Sequence, residues 1–109
     1  MAIPHAYSGE PIDVQPFGTR ISDERTSVLF KSVHLEVFRL VLRAGKEFPP
    51  HKVPGEITIQ CIEGELDVTT VDQSHRLKAG QMLYLTGNCL HGVIANKDAS
   101  ALVTIALGR

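Results

Sequence analysis

The stretch Gly45-Lys-Glu-Phe-Pro-Pro-His51-Lys-Val-Pro-Gly-Glu56-Ile-Thr-Ile-Gln-Cys-Ile-Glu-Gly64 decides how the rest of the chain is read. Pro49 and Pro50 fix an extended approach to His51, because proline sets its own φ and restricts the residue before it. Val53-Pro54-Gly55-Glu56 reads as a tight turn of type II, with proline second and glycine third. Such a turn folds the chain back and is expected to bring His51 and Glu56 together. Residues 57–62 then alternate as a strand. Glu56, Thr58 and Gln60 share one face, and Ile57, Ile59 and Cys61 share the other. Two readings of the polar face stand: it meets water, or it lines a cavity that begins at His51 and Glu56.

Outward from this stretch, the punctuation is that of an all-β chain. Pro4, Pro11, Pro16, Gly9 and Gly18 interrupt residues 1–27 too often for a long helix. Within that arm, residues 12–14 read as a short edge strand and residues 27–30 as another. The arm either crosses a partner subunit or lies on its own domain. Residues 33–43 are β-branched and aromatic enough to be a strand, ended by Ala44-Gly45. Further strands are expected at residues 66–70, 82–85, 91–95 and 101–107. The turns between them fall at Glu63-Gly64-Glu65, Val71-Asp72-Gln73-Ser74, Lys78-Ala79-Gly80-Gln81, Thr86-Gly87-Asn88 and Asn96-Lys97-Asp98. Many short strands with turn signals every eight to twelve residues indicate a sandwich or barrel.

Bulk properties narrow the function classes. The 109 residues suit one domain, with an arm over 1–32 and a barrel over 33–109. At 43% hydrophobic and 21% charged residues the composition is globular. A net charge of −1 offers no basic footprint for nucleic acid or for an anionic membrane surface. No apolar run approaches a membrane span. Cys61 and Cys89 are too few for a disulfide framework, and the N-terminus lacks a signal-peptide pattern. These features lead us to expect a cytoplasmic protein. Cys61 reads as core. Cys89 also reads as a small buried residue, although a thiolate there could bind a soft metal. His34 and His75 read as surface residues.

Two spaced motifs make the chain resemble the cupins, small jelly-roll β-barrels. The first has the form G-x5-H-x-H-x2–4-E-x6–7-G, followed here by Gly45, His51, Glu56 and Gly64. The second has the form G-x5-P-x-G-x2-H-x3-N, followed by Gly80 and His91 at its spacing. The likeness covers residues 33–107. It implies an all-β, double-stranded β-helix barrel whose mouth binds a small molecule, and pairing into homodimers through sheets and arms. It also implies a divalent metal (Fe, Mn, Ni or Zn) on His51, Glu56 and His91; Thr58 and Gln60, on the strand face of Glu56, are the expected substrate-binding residues beside it.

The departures open an alternative. Val53 stands where the second histidine of the first motif belongs, and an isopropyl group has no lone pair to donate. Thr86 and Asn88 replace a proline and a glycine of the second motif, and Asn96 falls one residue late. Two imidazoles and one carboxylate remain a competent ligand set, of the kind non-haem iron and catalytic zinc sites use. On that reading the protein binds a small molecule beside the metal and, if it is an enzyme, is a dioxygenase or isomerase. The alternatives are a metal-free binding or sensing module, in which the same side chains hydrogen-bond a ligand, and a structural domain that only dimerises.

Overall fold

The computed structural model describes residues 5–108. Seven strands form: β1 (Ser27–Lys31), β2 (Leu35–Leu42), β3 (Glu47–His51), β4 (Ile57–Thr69), β5 (Ser74–Lys78), β6 (Met82–Leu85) and β7 (His91–Ala106). All pairings are antiparallel. The order is β1-β2-β7-β4-β5, with β3 also on β7 and β6 also on β4. Among the described residues no helix is long and apolar enough to cross a membrane.

The two long strands β4 and β7 pair with each other and change outer partners along their length. The first part of β4 pairs with β6 and the second with β5. The start of β7 pairs with β3 and its end with β2. Each long strand therefore belongs to both walls of the barrel, and the change is made at a bend. The expected turns at Glu63-Gly64-Glu65 and Asn96-Lys97-Asp98 are that bend. They do not end strands; the β4–β7 register shifts between Cys61 and Leu66 while the ladder continues. Bulges of this kind bend and twist a strand without terminating it. Gly64 permits the bend twice over. Its φ is +77°, and a Cβ there would lie 2.1 Å from the Asp98 carbonyl oxygen.

Alternation on the long strands builds the core. Ile57, Ile59 and Cys61 point inward on β4, with Leu66 and Val68 beyond the bend. Val93, Ala95, Ala101, Val103 and Ile105 face them from β7, and Leu40, Leu77 and Leu85 complete the cluster. Ile59 is 1% exposed; burying such a side chain contributes about 1.5–3 kcal/mol. The polar face of β4 lies outside the barrel: Thr58 sits opposite Tyr84 and Thr104, and Gln60 opposite Met82 and Leu102. Of the two readings of that face, the structure supports the solvent-side one.

Part of the arm is strapped over the outer face of its own sheet. Residues 12–14 form no strand; residues 15–23 carry the contact, with a 3-10 helix at Gly18–Asp23 and Ile21 buried. The Glu63 carboxylate accepts from the Phe17 and Gly18 N–H groups at 2.9 and 3.0 Å, from Ser100 Oγ at 2.6 Å and from Arg39 Nη2 at 3.3 Å. Arg39 donates to the Gln15 carbonyl and to Ser100 Oγ, and its guanidinium lies 3.9 Å from the Phe17 ring centre. The Arg39 side chain is 4% exposed, so the charge needs this carboxylate and this ring. Burial alone would raise the Glu63 pKa. The bonds from Ser100, Phe17 and Gly18, with the Arg39 charge, outweigh burial and hold it below the usual carboxylate value.

Candidate functional site

His51 reaches the barrel interior through an irregularity in β3. Phe48 pairs with Val93 and His51 with His91, so Pro49 and Pro50 together oppose Gly92 alone. Regular alternation from inward-facing Phe48 would put Pro50 inside and His51 outside. The extra residue restores His51 to the inner face. Two prolines suit the bulge, since neither has an N–H to contribute to the ladder. Gly92 fits beneath them: a Cβ there would lie 3.3 Å from Pro50 Cγ and 3.2 Å from Thr69 Oγ1.

His91 opens β7 and is 3% exposed, whereas His51 is half-buried. The two ring centres are 4.6 Å apart with planes inclined at 48°. Phe48 meets the His51 ring edge-on at 5.0 Å. Each imidazole has its Nδ1 beside a backbone carbonyl, Pro49 O at 3.3 Å for His51 and Cys89 O at 2.9 Å for His91. A carbonyl only accepts, so a neutral ring bonded this way carries its proton on Nδ1 and keeps the lone pair on Nε2. The remaining wall is apolar: Phe38, Leu40, Phe48, Ile57, Ile59, Val93, Val103 and Ile105 enclose with the two histidines a space of about 20 Å³. That is room for one water-sized group. His91 also lines a rim groove of about 300 Å³ formed with Pro50, Thr69, Thr70, Val71, Leu90 and Gly92.

The loops that carry the two histidines are locked together. Asn88 N–H donates to the Val53 carbonyl at 2.8 Å. Asn88 takes a left-handed backbone, φ 60°, as its place in a turn suggested. Gly87 serves by close approach, since a Cβ there would lie 2.2 Å from the Pro54 carbonyl oxygen. Gly55 plays the same part. It lacks the positive φ that a type II turn requires, and its own Cβ would meet the Ala106 carbonyl oxygen at 1.8 Å.

The turn at Val53–Glu56 does not bring Glu56 to His51. Glu56 is exposed, and its Oε2 accepts from the Tyr84 hydroxyl at 2.5 Å on the outer side of β6. That bond, with the nearby carboxylate charge, raises the Tyr84 pKa. Ile57, not Glu56, lines the cavity with the histidines. Val53 packs against the core, and Thr58 and Gln60 face away from the cavity. Of the five site residues the sequence singled out, the structure thus brings together His51 and His91. Among the described residues no group of three or more His, Cys, Asp or Glu side chains is placed to hold a metal ion. The His51, Glu56 and His91 set does not fit a shared ion in this arrangement.

The other candidates fall in place around the pair. Cys61 is buried, and burial pushes its thiol pKa up. Cys89 is half-buried against the core. His34 is exposed. His75, expected at the surface, is half-buried opposite inward-facing Val68. The sequence reading missed the aromatic and aliphatic wall; the alternation of Phe38 with Leu40 was the available signal.

The barrel and its bent long strands define a small jelly-roll domain with two histidines on its inner face. The family model "Cupin domain" matches residues 38–107, so the chain belongs to the cupin family. Among solved structures, an RmlC-like cupin from Desulfovibrio desulfuricans is 27% identical, with a TM-score of 0.76, covering 89% of this chain and 96% of that one. A conserved protein of unknown function from Streptococcus pyogenes is 16% identical, with a TM-score of 0.77, covering 100% and 96%. KdgF from a Halomonas species is 16% identical, with a TM-score of 0.71, covering 77% and 80%. No match is found among curated proteins.

Proposed function

We propose that this cupin binds a compact organic molecule through the two imidazoles, without a resident metal. The observation that carries the reading is the facing His51–His91 pair, with each Nδ1 at a carbonyl and an otherwise apolar wall. Two Nε2 lone pairs accept hydrogen bonds, so the ligand presents an O–H or N–H donor on an apolar body. A ligand that covers the two acceptors without supplying a donor leaves them unpaired, which is costly and makes such a site selective for ligands that supply one. The donor group takes the water-sized space that the two rings line. The apolar body leads out along the rim, where Val71 and Leu90 are exposed beside His91.

Phenol, toluene and benzoate test this by thermal shift and by NMR of the histidine side chains. Phenol should stabilise the protein most, because binding to the folded state alone raises its stability. Toluene lacks the donor, and benzoate brings acceptors to acceptors. His91→Ala should abolish the preference for phenol over toluene. Equal responses to all three probes, or a preference that survives His91→Ala, would contradict the reading.

A further inference from the structure

Glu36 faces the barrel mouth from β2. It pairs with Ile105 in a regular β2–β7 ladder and lies two residues before Phe38, so it shares the inner face with Phe38 and Leu40. At the ordinary strand rise it stands roughly 7 Å beyond Phe38 along β2. Glu36 is half-buried and lines a groove of about 260 Å³ with Val53, Pro54, Ile105 and Leu107. Ile105 is common to that groove and to the histidine cavity, as His91 is common to the cavity and the rim groove. Among the described residues lining these three spaces, Glu36 is the one acidic or basic side chain besides the histidines. Lys31 stands opposite it on β1, but Lys31 is exposed, and the ion pairs among the described residues include neither.

We infer that Glu36 sets the charge of the ligand: the molecule whose donor reaches the histidines carries an ammonium group on the same apolar body, and that group pairs with the Glu36 carboxylate. The apolar neighbours Val53, Ile105 and Leu107 keep part of the water away from this carboxylate, so its charge is screened less than one on the open surface. A cation therefore gains there, a neutral group gains little, and an anion is repelled. The net charge of −1 is too small to select by sign from a distance, which makes the preference local. The donor end of the ligand rests on the histidine reading given above. Glu36 adds the chemistry of the other end and makes the ligand class a hydroxylated organic amine.

Calorimetric titration of the full chain at neutral pH and low salt tests the assignment with four probes. Tyramine is the cation, tyrosol its uncharged isostere, 4-hydroxyphenylacetate the anion, and phenethylamine the cation without the hydroxyl. Tyramine should bind roughly tenfold tighter than tyrosol, the low end for a hydrogen bond to a charged group, because Glu36 is only half-buried. The anion should bind more weakly than tyrosol, and added salt should narrow the spread. Glu36→Gln should bring tyramine down to tyrosol and leave tyrosol unchanged. Glu47→Gln removes the same charge from the exposed far end of β3 and should keep the preference. Equal binding of tyramine and tyrosol to the unsubstituted chain would overturn the inference. So would a preference that survives Glu36→Gln, or one that Glu47→Gln removes as well. Phenethylamine separates this outcome from that of the histidine reading. If phenol and tyrosol do not bind, while phenethylamine binds and loses affinity in Glu36→Gln, the histidine reading fails and the Glu36 assignment stands. If tyrosol binds and tyramine gains nothing over it, the reverse holds.

Discussion

Replacing Gly87 by alanine separates two opposite expectations by sign. Gly87 is not among the residues with a left-handed backbone. At such a site Gly→Ala ordinarily stabilises by about 0.4–1 kcal/mol, by restricting the unfolded chain. Here the added Cβ would lie 2.2 Å from the Pro54 carbonyl oxygen, about 0.8 Å inside the 3.0 Å limit that real Cβ atoms respect. The obstacle is backbone, so a rotamer change cannot relieve it. The loop bearing Asn88 must move away from the turn bearing Val53, and their 2.8 Å hydrogen bond is lost or stretched. Overpacking of this kind costs about 1–3 kcal/mol, and the hydrogen bond contributes about 1 kcal/mol more. The expected outcome is a destabilisation of about 2–4 kcal/mol in urea unfolding, combining those two terms. Because His51 and His91 flank the two loops, phenol binding should weaken in the folded variant as well. A stability equal to or above that of the unsubstituted chain would refute the claim that backbone contact locks the histidine loops.

Three other substitutions probe separate parts of the account. Glu63→Gln removes the charge opposite Arg39, whose side chain is 4% exposed, and should destabilise by about 3 kcal/mol at neutral pH. Because the Glu63 pKa is lowered in the fold, its stabilisation is full above the ordinary carboxylate value and is lost as pH falls through the depressed one. The unsubstituted chain should therefore lose its advantage over Glu63→Gln in acid; a constant difference across that window would argue against the linkage. Glu56→Gln should lower the Tyr84 phenol pKa towards its ordinary value, read by ultraviolet titration with Tyr84→Phe as the reference. An unchanged titration would mean the Glu56–Tyr84 bond does not persist in solution. Ile59→Ala should cost about 2–5 kcal/mol while enlarging the cavity, so that calorimetry finds bulkier phenols binding relatively better than phenol itself; unchanged selectivity would count against binding inside the barrel.

Strand content and barrel class were legible because alternation and turn chemistry are local properties. The β4 pattern Ile57, Ile59, Cys61 marked the inner face correctly. What local pattern could not reveal was which turn signals end strands. Gly64 and Asn96-Lys97-Asp98 sit where two long strands bend together, and only their mutual pairing keeps the ladder continuous. The site was half legible for a related reason. His51 and His91 stand out as histidines at motif spacing. Their facing positions depend on a bulge that two prolines create opposite Gly92. Glu56 looked like their partner because sequence spacing does not reveal side. One residue of register placed Ile57 inside and Glu56 against Tyr84.

The central claim is that the barrel presents two Nε2 lone pairs to an apolar space. Nitrogen-15 NMR of the histidine side chains, recorded on neutral imidazoles with and without phenol, tests it most directly. The account expects His51 and His91 both protonated on Nδ1, with both Nε2 resonances moving when phenol binds. A proton on Nε2 of either ring in the free protein, or Nε2 signals indifferent to phenol, would contradict it.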